Sequence, residues 1–220
     1  MAAPASPGEA AAPAGESAPA AEPAFAGDSA AAPGPESPRQ LVMCVGNMLM
    51  LDEGFGPHMA QVLTDFDAAA AHFDDAHART LTSAFRLLDE RDSPDDGRIP
   101  VLDAGTMGMG LIPYIRDYDH IVVVDAVDCG PTATPGTCYT FTPEEMAANS
   151  IMHCLHDMRI PDVLTNARLA GHDCDIDCVG VQVKNMNPVE LTIGLTEEVS
   201  AAVPFAVAAI LDFCGLDLGE

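Results

Sequence analysis

Two rhythms of apolar positions alternate along the chain, one continuous and one helical. Leu41 to Val45 (LVMCV) is an unbroken apolar run, which predicts a strand covered on both faces. Gly46-Asn47 then turns the chain, Asp52 and Glu53 follow, and Gly54 and Gly56 are expected to give slack around the acids. Phe55, Met59, Val62, Leu63 and Phe66 fall on one helical face, with Pro57 in the first turn, where its missing N–H costs nothing. Ile99 to Leu102 predicts a second strand ending at Asp103-Ala104-Gly105-Thr106, and Gly108 to Tyr118 a helix through Leu111, Ile112 and Ile115. His120 to Val127 is the strongest strand signal, its apolar run closed by Asp125.

Thr137, Tyr139 and Phe141 alternate with Cys138 and Thr140, as in an edge or antiparallel strand. Pro143-Glu144-Glu145 starts a short helix, and Asn149 to Asp157 is a loop holding His153 and His156. A helix from about Met158 to Ala170 packs Ile160, Val163, Leu164 and Ala167 and is stopped by Gly171. Asp177 to Val183 predicts the last buried strand. Thr196 is placed to cap a terminal helix with Val199, Val203, Val207, Ile210 and Leu211 on its apolar face, kinked or broken at Pro204. Strands alternating with helices predict an α/β fold: a three-layer sandwich with a mainly parallel central sheet, one edge strand antiparallel, and helices on both faces.

Composition divides the chain. Residues 1–38 are mostly Ala, Pro, Gly, Ser and Glu with Phe25 the only aromatic, too little apolar surface to offset ordering entropy, so a disordered leader is expected. Residues 39–220 make one α/β domain, with a surface excursion at about 67–98 broken by Ser93-Pro94-Asp95-Asp96-Gly97. His72 and His77 lie there among aspartates and are expected to be exposed. The formal net charge is −25 and Lys184 is the only lysine, which excludes a phosphate-backbone footprint and hence nucleic acid as partner. Val199 to Leu211, the longest nearly charge-free apolar segment, covers 13 residues against the roughly 20 of a membrane helix. The opening MAAPASPGEA has neither basic start nor apolar middle, so the cytoplasm is the expected compartment. Seven cysteines without paired spacing predict reduced thiols, and Cys174 with Cys178 has no second pair to complete a metal site.

The candidate chemistry narrows by exclusion. VGNMLMLDEGFG lacks the G-x-G-x-x-G of a dinucleotide loop and would set Asp52 and Glu53 against a pyrophosphate; no G-K-[ST] or G-x-S-x-G occurs. Cys44 lies inside a strand, and Cys154, beside two histidines, is read as a buried thiol. What remains is Glu53 after strand one, Asp103 ending strand two, Asp125 ending strand three, and His153 or His156 before a later helix. In a parallel sheet those loops share one edge, and two carboxylates with one imidazole suit a borderline-to-hard divalent ion.

The quoted residues resemble the NiFe hydrogenase maturation proteases, endopeptidases that trim the C-terminus of the hydrogenase large subunit. Seven ordered blocks carry the resemblance over about residues 41–214: VGNMLMLDEGFGPHMAQVL, DAGTMG at 103–108, VVVDAVDCG at 122–130, PGT at 135–137, HDMRIPDVL at 156–164, VGVQV at 179–183 and IGLTEEV at 193–199. The resemblance implies that Glu53, Asp125 and His156 contact metal, with His153 as the fallback. His156 keeps the register to Asp162-Val163-Leu164, although Arg159 stands where the family usually has glycine. Gly46, Asn47, Gly54 and Asp103 would support the site. The resemblance further implies that no cofactor is owned and that the metal is nickel already inserted in the large-subunit precursor, for which other divalent ions are expected to substitute. The catalytic group is left open, with Asp125 or Glu53 as the acid that activates water. The partner implied is the nickel-loaded precursor; a monomer is expected, since no amphipathic face is left over. The competing class is a nickel-sensing escort on the same fold that does not cut.

Overall fold

In the computed structural model, residues 38–73, 88–89, 98–142, 145 and 160–216 are described below; the leader, His77, Cys154, His153 and His156 lie outside them. The elements are β1 (Gln40–Val45), a 3-10 turn (Leu51–Gly54), α1 (Phe55–Thr64), α2 (Phe66–Ala70), β2 (Leu88–Asp89) and β3 (Ile99–Gly105). A second 3-10 turn (Gly108–Leu111) leads to α3 (Ile112–Arg116), β4 (His120–Val127), β5 (Cys138–Phe141), α4 (Ile160–Leu169), β6 (Asp175–Gln182), α5 (Glu197–Ser200) and α6 (Val203–Phe213).

The strands form one six-stranded sheet in the order β2-β3-β1-β4-β6-β5. All neighbours are parallel except β5 and β6, which are antiparallel. Alternate residues of β1 enter opposite cores, as a pleated strand requires. Val42 and Cys44, with Val122 and Val124 of β4, pack under Phe55, Met59 and Leu63 of α1 and Val207 and Ile210 of α6. Leu41 and Met43, with Ile121 and Val123, pack under Leu111, Ile115 of α3, and Val163, Leu164 and Ala167 of α4. The result is the three-layer α/β sandwich with helices on both faces. Among the described residues no helix is long and apolar enough to cross a membrane.

The structure departs from the expected elements where local chemistry or pairing outweighs periodicity. Asp65 is extended (φ −116°, ψ 110°) and its carboxylate accepts the N–H groups of Asp67 and Ala68, so α1 stops at Thr64 and Phe66 begins a new helix. Leu88, within the expected surface excursion, pairs with Ile99 as part of a two-residue edge strand. Strand β3 continues two residues past Asp103, while β4 spans His120–Val127 as expected. As expected, the terminal helix is broken near Pro204, which occupies the first turn of α6, where no amide donor is needed. Thr196 precedes α5, but its hydroxyl does not cap the helix; it is used elsewhere.

Candidate functional site

The carboxyl edge of the sheet holds three buried acids, Asp52, Glu53 and Asp125. Asp125 pairs with Gly180 of β6 and is 2% exposed, and its Oδ1 accepts the N–H of Ala126 at 2.8 Å. Its side chain has the same parity as Ile121, Val123 and Val127, which places it on the face covered by α3 and α4. Glu53, also 2% exposed, lies in the 3-10 turn that packs against β4. Carboxylates are rarely taken out of water without a function or a charged partner, so Glu53 in its turn and Asp125 in β4, at one sheet edge, are the candidate site residues. Helix α4 on the Asp125 face starts at Ile160, four residues after His156 in sequence.

The turn carrying Glu53 is close-packed. Gly46 (φ +150°) donates to Gly105 O, and Asn47 N–H donates to Glu53 O at 3.1 Å. The Asn47 carbonyl accepts from Met50 and its side-chain oxygen from Leu49. A Cβ on Gly46 would stand 2.2 Å from Glu53 O, one on Gly54 2.9 Å from the Met48 Cα, and one on Gly56 1.9 Å from Val45 O. These glycines therefore let backbone meet backbone, the opposite of the slack expected around the acids. Gly56→Ala should destabilise the protein by about 3 kcal/mol or more, since two main chains must separate; urea unfolding measures it, and a midpoint equal to wild type would contradict the packing.

Asp103 does not join the two acids. β1 and β3 slip register by one residue between Cys44 and Val45, Asp103 is exposed with Oδ1 accepting from Gly105 N–H, and it lines a hollow with Ala60, Gln61 and Thr64 of α1. That is the face opposite Asp125. Cys44 is fully buried and its thiol is pushed far up by burial and then by Asp103, so it is inert as a nucleophile. Cys174 and Cys178 are buried in the α3/α4 core, with Cys174 pushed up to about 11, chiefly by burial.

Beyond the carboxyl ends of β4 and β6 a cleft of ≈ 400 Å³ opens between Asp128, Pro131, Gln182, Lys184 and Asn187. Gln182 holds its floor: Oε1 accepts from Cys129 N–H at 2.8 Å and Nε2 donates to Val183 O.

Residues 83–213 match the model of the hydrogenase maturation protease family. The chain belongs to the hydrogenase maturation protease family. It is 31% identical over 185 residues to the hydrogenase expression/formation protein HupM of Azotobacter chroococcum mcd 1, covering 80% of this chain and 72% of that one. To the hydrogenase 2 maturation protease of Escherichia coli K12 it is 29% identical, covering 79% and 88%. Against the HupD protein of Rhizobium leguminosarum bv. viciae, at 29% identity, the match spans 55% of the relative's length. The solved hydrogenase maturating endopeptidase HybD of E. coli superposes with a TM-score of 0.57 at 26% identity, covering 79% of this chain and 90% of that one.

In this maturation protease the residue that sequence reasoning passed over is Asp52. It is fully buried, Oδ2 accepts from Lys184 N–H (3.0 Å), Asn185 N–H (2.9 Å) and Thr196 Oγ1 (3.0 Å), and Oδ1 accepts from Thr196 N–H (2.7 Å). Thr196 thus spends its hydroxyl on Asp52 rather than on capping α5. Asp-Glu in sequence gives no sign of which carboxylate is the staple; the partners lie more than 130 residues away.

The maturation protease also carries a partly buried histidine pair beside this turn. His58 Nε2 and His72 Nε2 are 3.2 Å apart with the rings edge-on, so His72 is not the exposed residue expected. Burial, and for His58 then the His72 charge, holds both below the ordinary histidine value of about 6.5. Since the unfolded chain then binds more protons, the pair's contribution is complete above about pH 6.5 and is lost as pH falls below that value and through the lowered folded-state pKa. Urea midpoints should drop between pH 7.5 and 5.5, and drop less in a His58→Gln/His72→Gln variant; parallel profiles would refute the assignment.

Proposed function

We propose that this maturation protease removes the C-terminal extension of the NiFe hydrogenase large-subunit precursor once nickel has been inserted, with Glu53, Asp125 and His156 contacting that nickel. The observation that supports it best is the pair of buried carboxylates, Glu53 and Asp125, at one end of the sheet. With an imidazole from the chain ahead of α4 they make a donor set suited to a borderline divalent ion. Nickel is cargo of the substrate and the enzyme owns no cofactor. One acid of the pair takes a proton from water; the hydroxyl adds to the scissile carbonyl carbon, and the proton passes to the leaving nitrogen. The enzyme acts in the cytoplasm as a monomer.

Purified protein mixed with nickel-loaded precursor should shorten it at the C-terminus, while nickel-free precursor stays intact. Equal cutting of both would reject nickel sensing, and cutting of neither would leave only a non-cleaving escort.

A further inference from the structure

Exposed apolar side chains gather beside the 3-10 turn that holds Glu53. Met48 and Leu49 from the turn after β1 are each 41% exposed, and Val189, Leu191 and Ile193 from the chain after β6 are 104%, 73% and 70% exposed. On a chain of net charge −25 such a cluster is the exception, and apolar patches of this kind mark interaction surfaces. Met48 and Ile193 face one small hollow together, so the two segments form one surface.

The backbone of this segment adds a second observation. Thr192 bridges Met50 in parallel: Leu51 N–H donates to Thr192 O at 2.8 Å, and Thr192 N–H donates to Leu49 O at 2.9 Å. In extended chain the next residue on either side turns its N–H and C=O to the opposite edge. Leu191 and Ile193 therefore present theirs away from the turn, and among the described residues neither makes a backbone hydrogen bond. An open strand edge with apolar side chains at alternate positions is what captures an extended peptide by strand addition.

We propose that residues 191–193 are the docking strand for the substrate's own polypeptide. It takes an extended, apolar segment of the precursor next to the scissile bond, which lies along the Leu191–Ile193 edge and against Met48. This rests on the protease reading above. Continuity with the site favours this occupant, because Leu51, bonded to the strand, opens the 3-10 turn that holds Glu53. The Asp52 carboxylate binds Asn185 on one side of the strand and Thr196 on the other, so strand and Glu53 are fixed in one frame. A second copy of the chain is disfavoured, since pairing this edge with itself would bring two strongly acidic proteins together.

The test is precursor processing by Leu191→Asp and Ile193→Asp, with Leu169→Asp, an 82% exposed residue at the end of α4, as control. Being exposed, all three should unfold within about 0.5 kcal/mol of wild type. KM for nickel-loaded precursor should rise roughly tenfold or more in the two strand variants, with kcat at saturation little changed and the control like wild type. Wild-type cutting with unchanged KM in both strand variants would overturn the docking strand alone. So would a wild-type dimer that Leu191→Asp converts to monomer. A wild type that leaves the precursor whole would overturn the protease reading, and this inference with it.

Discussion

Glu53→Gln and Asp125→Asn should each slow processing of nickel-loaded precursor by at least roughly 100-fold while leaving the fold at least as stable as wild type. Both side chains are 2% exposed and both substitutions keep shape and volume. An amide costs less to bury than a carboxylate, so the unfolding free energy should hold steady or rise by up to about 1 kcal/mol. Separation of the two quantities is the signature of groups kept for chemistry rather than for packing. Appearance of the shortened large subunit on gels, set beside urea unfolding of the same preparations, measures both. Normal processing in either variant would remove that residue from the site, and a large fall in stability would make it structural. His156→Ala should lose processing in the same way, and His153→Ala should not.

The difference between what sequence showed and what it hid follows the range of the interactions. β1 and β4 were legible because an unbroken apolar run has one reading in a sheet covered on both faces, and the Asp125 position followed from the end of such a run. The antiparallel β5 was legible from alternation at Tyr139 and Phe141. Leu88 in β2 was not, since two residues carry no period and only their pairing with Ile99 makes them a strand. Asp103 and Asp125 look alike as acids near strand ends, yet Asp103 aligns with Cys44 and Val124 on the α1 face while Asp125 shares the parity of Ile121 and Val123 on the other. Side-chain direction at a strand end depends on strand parity, and both strands run three residues further than their apolar runs.

Asp52 and Glu53 divide stability and chemistry between adjacent carboxylates, and Asp52→Ala should cost about 3–5 kcal/mol, a large part of the 5–15 kcal/mol typical of a whole domain. Its loss strands the amides of Lys184, Asn185 and Thr196 together with the Thr196 hydroxyl, each partly or wholly shielded from water. An orphaned donor of this kind costs roughly 1–3 kcal/mol, less where water can reach it. Asp52→Asn keeps one carbonyl oxygen but turns an NH2 toward amide donors, so it should cost about half as much. The damage has a defined place: Lys184, Asn185 and Thr196 amides should exchange with solvent faster than in wild type while the β1 and β4 amides keep their ranking. Because the same carboxylate anchors both ends of the 185–196 chain and positions Glu53 next to it, processing by the folded fraction of Asp52→Asn should also fall. An Asp52→Ala variant that unfolds within 1 kcal/mol of wild type would mean that the three segments are held together by their apolar contacts instead.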